Sequence, residues 1–135
     1  RAGFLEALAE RGISPRAVET TDTPGSHRLG REAFAALADA GRLPKALFCT
    51  SDPLAQGAIT EALVRGLRVP EDVAIMGFGD YEIARELNPG LTTIAVPTVR
   101  MGEEAARMLV QRLRSETPAA RKRDLGFELI ERGSA

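Results

Sequence analysis

Residues Lys45 to Asp80, KALFCTSDPLAQGAITEALVRGLRVPEDVAIMGFGD, constrain the fold more than any other stretch because they read as strand, helix and strand in succession. Ala46 to Thr50 is a short apolar run between Pro44 and Ser51-Asp52-Pro53, the pattern of a strand buried on both faces. Pro at the first position of a helix loses no useful N–H, so the next helix is predicted from Pro53, with Asp52 as its cap. Leu54, Ala55, Ala58, Ile59, Ala62 and Leu63 recur on one face of that helix, and Gly66 closes it. Val69-Pro70-Glu71-Asp72 turns the chain into a second buried strand, Val73 to Met76, which ends at Gly77-Phe78-Gly79-Asp80. A strand–helix–strand unit makes a right-handed crossover, so the two strands are expected to be parallel. Ser51, Asp52, Gly79 and Asp80 then gather at the carboxyl ends of neighbouring strands, where open parallel sheets take their ligands.

The remaining segments extend the same alternation. Arg1 to Arg11 carries Phe4, Leu5, Leu8 and Ala9 on one helical face and stops at Gly12. No capping residue precedes it, so the chain is expected to be a piece of a longer protein. Ala17 to Thr20 reads as a short edge strand, and Thr21 to His27 as a loop. A packing helix runs from Leu29 to Ala40, and a short one from Tyr81 to Leu87 is predicted with Asp80 as its cap. Leu91 to Val96 is the next strand. Thr98 is placed as the cap of a long helix through Arg114, whose inner face is Gly102, Ala105, Ala106, Leu109 and Leu113. Leu125 to Ile130 is the last strand. The expected class is α/β, an open parallel sheet flanked by helices.

Composition narrows the function. A length of 135 residues with 44% hydrophobic content suffices for one domain with a real core. Eighteen basic residues stand against 19 acidic ones, which gives no field for holding nucleic acid, and no apolar run is long enough to span a membrane. Cys49 is the single cysteine; it excludes an internal disulfide, suits a reducing compartment and reads as an inert core thiol. There is no glycine-rich phosphate loop, no metal-ligand cluster and no nucleophile spaced with a base. Neither an enzyme nor a bound cofactor is therefore expected.

Several segments in order resemble the effector-binding core of LacI/GalR-family transcriptional regulators. They are Gly3-Phe4 with Ala7-Leu8, Gly30, Ala46-Leu47-Phe48-Cys49 before Ser51-Asp52, Ala55-x-Gly57-Ala58, and Gly66 with Val69-Pro70-Glu71-Asp72-Val73. Gly77-Phe78-Gly79-Asp80, Pro89-x-Leu91-Thr92-Thr93 and Met101-Gly102-x-x-Ala105 continue the match across essentially the whole chain. Gly79-Asp80-Tyr81-Glu82-Ile83-Ala84 and the ending Asp124-Leu125-Gly126-Phe127-Glu128-Leu129 look most like gluconate-utilisation repressors.

The resemblance implies that residues 1–135 are the carboxyl-terminal subdomain of a periplasmic-binding-protein-like regulatory domain. A helix-turn-helix headpiece, which would meet operator DNA, and an amino-terminal subdomain would lie outside them. It implies a cytoplasmic homodimer whose sugar or sugar-acid effector, gluconate among the candidates, closes two subdomains and shifts operator affinity. A periplasmic sugar-binding protein of a transporter is the rival reading on the same fold.

Each implied effector residue has a plain structural alternative. Asp52 is a cleft carboxylate or a helix cap, and Ser51 a hydroxyl contact or a turn residue. Gly79 stands where many sugar-binding relatives carry an aspartate. Its lack of charge suits an effector with its own carboxylate, or it only permits a tight turn before Asp80. Ser26 and His27 lie in a loop that relatives fold over the cleft, and His27 is otherwise a solvated histidine. Val96 reaches the effector or joins the core, and Arg121-Lys122-Arg123 attracts an anion or forms a solvated turn. Ile59, Leu63 and Leu87 are the candidates for the dimer interface.

Overall fold

The computed structural model describes residues 2–14, 25–114 and 122–135. The strand expected at Ala17 to Thr20 lies outside them. The elements are α1 (Ala2–Ala9), α2 (His27–Asp39), β1 (Ala46–Phe48), α3 (Asp52–Val64), β2 (Ala74–Gly79), α4 (Ile83–Glu86), β3 (Thr92–Ala95), α5 (Thr98–Leu113) and β4 (Glu128–Ile130). The four strands form one open sheet in the order β1-β2-β3-β4. β1 pairs parallel with β2 in the register Phe48 to Met76, and β2 pairs parallel with β3 in the register Met76 to Thr92. β4 runs antiparallel to β3, so the wholly parallel sheet expected from the sequence is corrected at its last strand. Strand direction follows from the connection, and periodicity within Leu125 to Ile130 does not encode it.

Because β1, β2 and β3 advance in one direction across the sheet, right-handed crossovers put α3 and α4 on the same face. Ile75, Val73, Leu91 and Ala84 meet Ala55, Ala58, Ile59 and Ala62 of α3 there, with Phe34 of α2 and Val69 completing the core. α2 and α3 cross at two glycines. A Cβ on Gly30 would stand 2.1 Å from the Leu54 carbonyl oxygen, and one on Gly57 2.1 Å from that of His27. Backbone meets backbone at that crossing, so no larger residue fits without moving a helix.

The other face of the sheet is touched by α1, whose Phe4 stacks on Phe48 with ring centroids 5.5 Å apart. β1 was expected to be buried on both faces, but it is an edge strand among the described residues, with Ala46 exposed and Leu47 and Phe48 half-buried. α5 corrects a second expectation: it buries none of its residues, and Leu109 and Leu113 of the predicted inner face are exposed.

The tail returns to the sheet through Ser134, which is fully buried. Its Oγ donates to the Ile75 carbonyl at 2.6 Å and accepts from Thr92 N–H at 2.9 Å, while its own carbonyl accepts from Ile75 N–H at 2.7 Å. One serine thus satisfies strand groups on both β2 and β3 that the parallel register leaves open.

Candidate functional site

The carboxyl ends of β1 and β2 and the Thr93 position inside β3 converge on Asp52. The helix begins one residue earlier than predicted: Ser51 is the N-cap position without a capping side chain, and Asp52 is the first helical residue. Its carboxylate turns away from its own helix. Oδ2 accepts the Tyr81 N–H at 2.7 Å and Oδ1 accepts the Thr93 hydroxyl at 2.6 Å. At 0% exposure both oxygens are spent on donors inside the protein, and the carboxylate does not cap its own helix. The amino end of α3 complements its charge.

Asp80 is likewise occupied. It sits at φ 50°, outside α4, which starts at Ile83 with Glu82 as a non-bonding cap, so Asp80 does not cap that helix. Its Oδ1 accepts from Arg132 at 2.7 Å, and the same guanidinium donates to the Leu91 carbonyl at 2.8 Å. Arg132 therefore staples together the two ends of the segment that carries α4. Gly79 precedes it at φ 128°, a conformation L side chains rarely adopt. A Cβ on Gly79 would stand 3.1 Å from Cε1 of Tyr81. Restoring an aspartate there would strain the turn and displace the ring, so Gly79→Asp does not isolate the effect of charge.

Ser51 Oγ is buried beneath Gly25 and Leu54; a Cβ on Gly25 would approach it to 2.5 Å. Among the described residues it is the one buried side-chain polar atom without a hydrogen-bond partner. Orphaned buried hydroxyls are costly and call for a reason. Cys49, two residues before it, packs against the core, where burial and then the nearby Asp52 carboxylate push its thiol up to about 12. It is no nucleophile at neutral pH.

The other candidates separate from this corner or acquire structural duties. Ser26 caps α2, its Oγ accepting from Leu29 N–H at 3.2 Å. His27 begins α2 and faces α3: its Nε2 lies 3.1 Å from Thr60 Oγ1, whose proton goes to the Gln56 carbonyl at 2.8 Å. The hydroxyl proton is spent, so Nε2 is the donor and ties the half-buried imidazole to α3. Val96 is half-buried after β3 and lines an open groove with Pro97, Thr98, Arg100 and Glu103. Thr98 is the first residue of α5 and not its cap. Arg123 pairs with Glu104 at 2.6 Å, Lys122 is exposed, and Arg121 lies outside the described residues.

Of the three interface candidates, Ile59 is 2% exposed inside the core and has no surface for a partner. Leu87 is half-buried against the same core, and Leu63 is 47% exposed. The sequence reading missed Tyr81, Thr93 and Arg132, the residues that fix the corner. Thr93 looked like any β-branched strand residue, and the ends of Arg132's contacts lie 41 and 52 positions away in the chain.

Among the described residues, no group of three or more His, Cys, Asp and Glu converges as a metal site, and no helix is long and apolar enough to cross a membrane.

The whole chain, residues 1–135, matches the model of the periplasmic binding protein-like domain. It is 36% identical over 134 residues to the HTH-type transcriptional repressor CytR of Escherichia coli K12, an alignment covering 98% of this chain and 39% of that repressor. Transcription regulator GntR from Chromobacterium violaceum superposes with a TM-score of 0.86 at 38% identity, covering 98% of this chain and 49% of that one. The transcriptional regulator CelR–cellobiose complex superposes with a TM-score of 0.89 at 32% identity, covering 98% and 41%. The chain spans 39% of the length of the curated relatives it matches.

Proposed function

The chain belongs to the periplasmic-binding-protein-like domain family of LacI-type transcriptional repressors, and on that premise we propose that it is the carboxyl-terminal, effector-sensing subdomain of a cytoplasmic repressor. The effector is a small sugar or sugar acid, bound between this subdomain and an amino-terminal one. The observation that carries this reading is Ser51 Oγ beside the Asp52 corner, after β1: it has no partner among the described residues and lies under Gly25, which must move aside for a ligand to reach it. A solved relative that holds a sugar, the CelR–cellobiose complex, supports the ligand class.

The acidic form of the ligand is favoured by what the corner lacks. Gly79 contributes no acceptor, Asp80 is neutralised by Arg132, and Asp52 is enclosed with two donors and a helix amino end. No free carboxylate of these three repels an effector that carries its own, gluconate being the open-chain example. The exposed apolar face of α5 docks on the amino-terminal subdomain, and the complete repressor is a homodimer for which Leu63 supplies surface. Ligand closure shifts the population of operator-competent dimers, with a coupling of about 1–3 kcal/mol.

The test is operator release. The complete regulator is bound to a labelled fragment of its own promoter and titrated with gluconate, glucuronate and neutral hexoses, with anisotropy as the readout. Wild type is expected to change DNA affinity with a sugar acid, and Ser51→Ala to keep DNA binding while losing the response. A response unchanged in Ser51→Ala contradicts the assigned site.

A further inference from the structure

With the carboxylates of Asp52 and Asp80 committed inside the protein, the Tyr81 ring is the side chain that lies across the end of β2. Its backbone N–H is pinned to Asp52 at 2.7 Å. Its ring covers Gly79 so closely that a Cβ there would meet Cε1 at 3.1 Å, Cδ1 at 3.3 Å and Cζ at 3.4 Å. The ring therefore fills the direction in which a side chain at position 79 would project from the strand end. It is also 52% exposed, so an aromatic surface stands open beside the neutral corner.

An aromatic face pairs with flat apolar surfaces, and the negative charge over its ring attracts polarised C–H bonds. A pyranose presents such a surface, with C–H bonds on its face and hydroxyls around its rim. An open-chain polyol must first freeze several rotatable bonds to present one, and that ordering opposes binding. We infer that Tyr81 is a specificity-determining residue of the effector site, selecting a sugar acid in ring form, of the hexuronate kind, by stacking on its C–H face. This rests on the sugar-acid reading above. Asp52 acts through Tyr81 as a positioning residue, and the glycine at 79 leaves room for the ring.

The test uses the complete regulator and three probes that vary ring and charge separately: glucuronate, gluconate and glucose. Each is titrated calorimetrically into wild type, Tyr81→Phe, Tyr81→Leu and Tyr81→Ala. The Tyr81 hydrogen bond to Asp52 is a backbone bond, so all three variants retain it, and Tyr81→Leu keeps apolar bulk without an aromatic face. Glucuronate is expected to bind wild type more tightly than gluconate. Tyr81→Ala and Tyr81→Leu should weaken glucuronate about tenfold, Tyr81→Phe should stay within about twofold, and gluconate should be indifferent to all three. Equal glucuronate affinity in wild type and Tyr81→Leu, or tighter binding of gluconate than glucuronate, overturns the stacking role and leaves the sugar-acid reading in place. Tightest binding of glucose, or no binding of any probe, overturns both.

Discussion

Asp52 shows how much one enclosed carboxylate can organise. It sits at the start of α3, yet its two oxygens hold the backbone after β2 and a hydroxyl on β3, so the relative position of three neighbouring strands depends on it. In Asp52→Ala the Tyr81 N–H and the Thr93 hydroxyl both lose their acceptor, and enclosed donors are left unpaired. The expected loss is about 1–3 kcal/mol of stability, read from the urea midpoint, with the tyrosine more mobile. Ser51→Ala has the opposite sign in the absence of ligand. Removing a buried hydroxyl that finds no partner among the described residues leaves the melting temperature unchanged or raises it.

At the scale of elements, the α2–α3 pair is the unit whose geometry leaves least tolerance. Gly57→Ala would drive a methyl into the His27 carbonyl, and neither backbone can give way cheaply. We expect a loss of about 1–3 kcal/mol by denaturant titration, together with a weakened His27–Thr60 contact. The same two helices carry an ion network. Hydrogen bonds from Arg31 and then Arg65 hold the Glu61 carboxyl below its usual value, and Arg65 also reaches Asp39. Between α3 and β2, the Arg68 side chain and then its backbone N–H bring Asp72 down to about 2. Both carboxylates bind protons more readily when unfolded, so their contribution is present above the unfolded pKa and declines as pH falls through the folded one. Stability should therefore drop from about pH 4.5 down toward about pH 2, and Glu61→Gln should flatten the upper part of that slope in urea titrations.

The order of helices and strands was legible because local signals set it. Apolar periodicity marked α2 and α3, and the helix-closing glycines at 12, 41 and 66 take positive φ as expected. Other features depended on partners distant in the chain. The direction of β4, the reach of Arg132 to Asp80 and the use of Asp52 by Tyr81 and Thr93 are set by packing, and no local pattern records them. Asp52 and Asp80 accordingly hold distant partners where a local reading had each of them cap the following helix.

For the whole molecule, the uncovered surfaces show where a neighbouring subdomain would fit. α5 has the apolar face of a packing helix, and the described residues leave Leu109 and Leu113 exposed. If it docks on the amino-terminal subdomain, Leu109→Glu should destabilise the complete regulator by about 2 kcal/mol or more, because a charge would replace a buried leucine. The same substitution should leave the melting temperature of residues 1–135 alone nearly unchanged, since the described residues leave the site uncovered.

The central claim is that the strand ends around Ser51 receive a sugar-like effector, and thermal unfolding of the complete regulator and its Ser51→Ala variant, with and without glucuronate, tests it most directly. The structure predicts an unchanged or higher melting temperature for the variant alone, and a ligand-induced rise in wild type that shrinks markedly in the variant. A rise of equal size in both proteins would place the effector elsewhere, and no rise with glucuronate, gluconate or neutral hexoses would contradict the sugar-sensing function itself.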